Sequence, residues 1–197
     1  MNIDYEHYIN YASRLNSALM GVNQKAIGEA YSILVGSIGQ PVFIFGNGGS
    51  AAIADHFCCD YNKGITQDTA MRGRAISLSS NGPLMTAIAN DCGYKNVFGD
   101  QLYYHNPKGG LAIAVSSSGN SENIIQGLTE AKELGLMTLA LVGFDGGAVL
   151  AHDLADAIIH VDCDNYGIVE DSHMAILHSL IQTIRKSYAH SPDMLRL

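Results

Sequence analysis

Residues 41–57 read PVFIFGNGGSAAIADHF. The first five form an unbroken apolar run of strand length, three glycines follow within the next five, and the remainder resumes a helical composition. Strand, tight turn and helix in immediate succession make the βα unit of a parallel sheet, because a strand covered on both faces needs an uninterrupted apolar run. Glycines at such a turn permit positive φ and close approach of the main chain, and Ser50 is placed to cap the helix that follows. GNGGS has neither the GxGxxG order of a dinucleotide fingerprint nor the GK[ST] ending of a P-loop, so neither nucleotide class is indicated.

The same unit recurs down the chain. After PVFIF (41–45) and a helix over 50–62 come RAISLS (74–79) with a helix over 83–90, and LAIAV (111–115) with a helix over 121–134. MTLALV (137–142) leads into a Gly-rich turn, and AIIHV (157–161) precedes a helix over 168–188. Five such runs predict a doubly wound five-stranded α/β sheet. Ahead of them, Tyr5, Tyr8, Ile9, Ala12, Leu15 and Leu19, then Ile27, Ala30, Tyr31, Leu34 and Ile38, recur at three- and four-residue steps. They predict two amphipathic helices, broken near Gly21 and Val22 with Asn23 as a cap. No linker or repeat divides the chain, so residues 1–197 are read as one domain. Residues 1–40 are its helical self-association segment, and 41–190 its sheet core.

Composition narrows the function. The 197 residues are 47% hydrophobic and 15% charged, as in a compact domain with a filled core. A net charge of −8 with no Lys/Arg run argues against nucleic-acid binding. No run approaches the roughly 18 apolar residues of a membrane span, and the first 20 residues lack the pattern of a secretory leader. Cys58, Cys59, Cys92 and Cys163 show no CxxC spacing, which fits reduced thiols in the cytoplasm.

The second turn of interest lies in LAIAVSSSGNSENII (111–125). Ser116, Ser117, Ser118 and Ser121 surround the end of a strand and the start of a helix. Four hydroxyls, a glycine and free helix N–H groups form a neutral cradle for a phosphate monoester. Capping explains one or two of these serines but not four. Acid–base groups cluster on two helices. His56 and Asp60 are four residues apart and share a face. IVEDSHMAILHSL (168–180) carries Glu170, Asp171, His173 and His178. Asp171 and His178 align at nearly two turns, and Glu170 lies about 80° round from His178. A His and a carboxylate on each helix suit Zn²⁺ or a similar divalent ion.

GNGGSAAIADHF and SSSGNSENII together resemble the sugar isomerase (SIS) domain, in its single-domain phosphoheptose isomerase branch, and the similarity runs from about residue 5 to 188. The resemblance implies a flavodoxin-like five-stranded sheet and a homotetramer with active sites at subunit boundaries. It implies conversion of sedoheptulose 7-phosphate to D-glycero-D-manno-heptose 7-phosphate. On that basis Ser116, Ser117, Ser118 and Ser121 hold the phosphate, while Asn47, Gly48, Gly49, Ser50 and Asp91 (in IANDCGY) meet the sugar. The family's zinc ligands, a His and a Glu on the first helix and a Gln and a His on the last, fall on His56, Asp60, Glu170 and His178. Two of these depart from the pattern. Asp60 is a methylene shorter than Glu, drawing its carboxylate back by roughly 1 Å, and Glu170 adds a negative charge that favours a divalent ion. His178 is then the acid, with the carbon base left open between Asp60 and Glu170. The competing expectation is a noncatalytic SIS protein that binds a sugar phosphate or a replication initiator. Four retained ionisable groups favour the enzyme.

Overall fold

A computed structural model describes residues 5–189; the ends of the expected domain, 1–4 and 190–197, lie outside the described residues. Five strands form one parallel sheet: β1 Val42–Gly46, β2 Ala75–Ser77, β3 Leu111–Ser116, β4 Met137–Val142 and β5 Ala157–His160. Their order, β2-β1-β3-β4-β5, is that of the flavodoxin-like sheet the sequence leads one to expect. Nine α-helices are described: α1 Tyr5–Met20, α2 Gln24–Gly36, α3 Gly49–Cys59, α4 Thr66–Asp68, α5 Gly82–Asp91, α6 Gly99–His105, α7 Glu122–Glu133, α8 Gly147–Ala151 and α9 Tyr166–Tyr188. Among the described residues no helix is long and apolar enough to cross a membrane.

The continuous apolar runs serve two cores at once. Val42 and Ile44, Ile113 and Val115, and Leu139 and Leu141 join a cluster with residues of α2, α3 and α9. Phe43 and Phe45, Ala112 and Ala114, and Ala140 and Val142 point the other way, into a cluster with residues of α5, α6 and α7. Successive strand side chains alternate between faces, so a strand buried on both must be apolar throughout. Asn23 caps α2 by accepting from the Lys25 N–H at 2.8 Å, as its position suggests. α1 lies along α9 but leaves Tyr5, Tyr8 and Ile9 exposed.

Three local features differ from expectation, the first two with visible causes. The helix read as 50–62 stays α-helical only to Cys59, then widens into a π-helix over Asp60–Ile65. There the Asn62 side chain pairs with the edge of β2, donating to the Ala75 carbonyl at 2.9 Å and accepting from the Ala75 N–H at 2.6 Å. β2 ends at Ser77 rather than 79, because Ser77 turns the chain: its carbonyl accepts from the Ser80 hydroxyl and its own hydroxyl from the Ser79 N–H. The Gly-rich turn after β4 leads into the five-residue helix α8.

Candidate active site

In this topology the chain leaves β1 toward β2 and leaves β3 toward β4, which opens a crevice at their carboxyl ends. GNGGS follows β1 and SSSG follows β3, so the two turns face each other across it. Gly48 adopts φ 55°, ψ −123° at the start of α3, a region nearly closed to side chains with a Cβ. Gly49 is needed for a different reason. A Cβ there would overlap the Glu170 carboxylate, which lies directly against the turn.

Asn47 ties the two turns together. Its amide makes a reciprocal pair with the buried Asn123 of α7, donating to Oδ1 at 3.0 Å and accepting from Nδ2 at 2.8 Å. The Tyr94 hydroxyl donates to the same Asn47 oxygen at 2.9 Å. Sequence reasoning found Asn47 but neither partner. Asn123 reads as an ordinary first-turn polar residue, and only its pairing across 76 positions distinguishes it.

Ser116, Ser117, Ser118, Ser121, Ser50, Asn47 and Glu170 line one cavity of about 210 Å³. Two hydroxyls brace their own loop, Ser116 accepting from the Gly119 N–H and Ser118 from the Asn120 N–H, both at 3.2 Å. The other two are not spent on capping. Ser121 stands at the N-cap of α7 without a side-chain cap bond, and the buried Ser117 hydroxyl has no hydrogen-bond partner among the described residues. A buried hydroxyl left unpaired costs on the order of 1–3 kcal/mol. The loop is held from behind by the 143–147 turn. The Gly143 N–H donates to the Ser117 carbonyl, the Val149 N–H to the Gly119 carbonyl and the Ala148 N–H to the Asn120 side chain. Main chains meet there so closely that a Cβ at Gly119 would strike the Gly146 carbonyl and one at Gly147 the Ser118 carbonyl.

Three of the four expected metal ligands converge. Asp60 Oδ2 lies 3.4 Å from His56 Nε2 and 3.2 Å from His178 Nε2, and the two imidazoles meet edge to face with centroids 5.0 Å apart. All three ligand atoms fall within 4.8 Å of one another, a donor set of two His and one carboxylate that fits a divalent ion. Glu170 is outside that group and faces the serine cavity instead. Asp91 ends α5, where it accepts from the Asn90 side chain at 2.7 Å, and does not line the cavity.

Asp171 and His173 point elsewhere. Asp171 accepts a 2.6 Å bond from the Tyr11 hydroxyl of α1. That bond, with burial and the carboxylate's charge, pushes the Tyr11 pKa up to about 12. His173 is fully buried, with neither ring nitrogen in a well-aligned hydrogen bond. Burial drops its pKa to about 4, an effect the nearby Val142 main chain only partly offsets. Burial raises the Cys58 thiol to about 12, in keeping with a packing role.

Serine hydroxyls and carboxylates thus gather at the switch point of a flavodoxin-like sheet, the arrangement of a domain built around a small-molecule site. The chain belongs to the SIS domain family, which matches residues 7–143, and within it to the phosphoheptose isomerase branch. It is 31% identical to a probable phosphoheptose isomerase of Thermoplasma acidophilum over 95% of this chain and 92% of that one. It is likewise 31% identical to a phosphoheptose isomerase of Helicobacter pylori over 96% and 97% of the two chains. The phosphoheptose isomerase structure from Neisseria gonorrhoeae superposes with a TM-score of 0.81 at 25% identity, covering 91% of this chain and 95% of that one.

Proposed function

We propose that the protein interconverts sedoheptulose 7-phosphate and D-glycero-D-manno-heptose 7-phosphate. The observation that carries this reading is the single cavity in which the four serines and Glu170 stand together. A phosphate held by the Ser116–Ser121 hydroxyls and the α7 N-terminus leaves the carbon chain to run toward the base. Asn47 and Ser50 line the wall it runs along, and Gly48 and Gly49 shape the turn between them.

Isomerisation removes a proton from C1 of the ketose, forms an enediol and returns the proton to C2, while a second proton passes from the C1 oxygen to the C2 oxygen. Between the two carboxylates left open by the sequence, Glu170 is the carbon base, because Asp60 Oδ2 already faces two imidazoles. His178, oriented by Asp60, is the acid that serves the oxygens. A zinc ion held by His56, Asp60 and His178 would polarise the carbonyl in place of that proton. The exposed Tyr5, Tyr8 and Ile9 of α1 support association into a homotetramer, and the four free cysteines suit a cytoplasmic setting.

NMR of sedoheptulose 7-phosphate incubated with the purified protein tests the assignment. Turnover is expected, with Glu170→Gln lowering kcat by about a hundredfold or more. A wild-type protein that leaves the ketose untouched would overturn the proposal.

A further inference from the structure

Tyr166 lines the serine cavity beside Glu170, yet nothing in the sequence marked it. It is the first residue of α9 and precedes Glu170 by four positions, one turn along the same face. Although 62% exposed, its ring is not free. It packs edge to face on Phe144, centroids 4.7 Å apart and planes at 82°. Phe144 has φ 50°, in the left-handed region that a bulky side chain seldom adopts. Two bonds hold it there: its N–H donates to the Cys163 carbonyl at 3.1 Å, and its carbonyl pairs with His160 Nε2 at 2.9 Å. An unfavourable backbone conformation retained beside a cavity points to use of what it positions. A ligand that reaches from the serines to Glu170 passes along the Tyr166 ring, whose face offers apolar surface to sugar C–H groups and whose hydroxyl offers a donor.

Building on the isomerase reading, we infer that Tyr166 contacts the bound sugar phosphate between its phosphate and its reacting carbons, and that Phe144 positions it. The contact acts on binding, before and during reaction alike, so its loss falls on KM rather than on kcat.

The test is calorimetric titration of sedoheptulose 7-phosphate into wild type, Tyr166→Ala, Tyr166→Phe and Phe144→Ala, with steady-state kinetics on each. Tyr166→Ala is expected to raise Kd and KM together by about three- to tenfold, with Tyr166→Phe between it and wild type. Phe144→Ala should weaken binding in the wild-type background and have no further effect in Tyr166→Ala. Equal Kd values for wild type and Tyr166→Ala, or a loss confined to kcat, would overturn the Tyr166 assignment and leave the isomerase standing. Absence of binding to wild type would overturn both. Because the ring is exposed, the Ala variant should keep its fold, which circular dichroism verifies.

Discussion

Glu170 sits where a Cβ of Gly49 would be, so the opening motif and the last helix are read together or not at all. At this scale the sequence was most informative where chemistry is local. Hydroxyls bunched within six positions, and a His and a carboxylate one helical turn apart, announce themselves without a fold. Tyr166 and Asn123 did not, because each acquires its role from a neighbour far along the chain. Asp91 was placed at the sugar by resemblance alone, and its α5 position leaves it off the cavity wall. His173 carries a prediction of its own. Its folded pKa of about 4 lies below the ordinary 6.5, so the unfolded chain takes up a proton that the folded one refuses. Stability from this group is complete above pH 6.5 and drains away as pH falls toward 4, by about 3 kcal/mol at most. Urea midpoints at pH 7 and 4.5 should therefore converge in His173→Leu relative to wild type. Parallel shifts in the two proteins would refute it.

Among the elements, the strands were legible because a two-sided burial demands apolar side chains at every position, and that demand is visible in the letters. The π-helix was not. DYNKGI has no local signature of it, and the widening accompanies Asn62 pairing with Ala75 thirteen residues on. FDGGAV (144–149) was read only as a turn, whereas the segment from Gly143 to Val149 forms the rear support of the serine loop. Contact between the β1 and β3 turns depends on the Asn47–Asn123 amide pair. Asn123→Ala removes two part-buried bonds and leaves the Asn47 NH₂ group unpaired while Tyr94 still serves its oxygen, which should cost about 1–3 kcal/mol. Denaturant unfolding should show that loss alongside reduced kcat/KM for the sugar phosphate. Unchanged kcat/KM at reduced stability would mean the pair holds the fold without shaping the site.

For the molecule as a whole, the doubly wound five-stranded sheet followed from counting βα units and its flavodoxin-like order from the family resemblance, while the distances between α3 and α9 needed coordinates. The net charge is −8, and among the described residues no Lys or Arg lines the cavity. On the proposed function, a sugar phosphate approaches against a field of its own sign and is held by neutral donors once inside. Raising ionic strength from about 0.01 to 0.15 M shortens the screening length from about 30 to 8 Å. KM should fall or hold steady over that range, where a site built on cations would weaken; a KM that climbs steeply with salt would contradict the neutral cradle. The segment after β4 has a broader implication. It meets the phosphate loop through its glycines and the Tyr166 ring through Phe144, without contributing a reacting group. If the proposed site is right, sequence drift confined to that loop would retune which phosphorylated sugar is accepted while Glu170, Asp60 and His178 stay as they are.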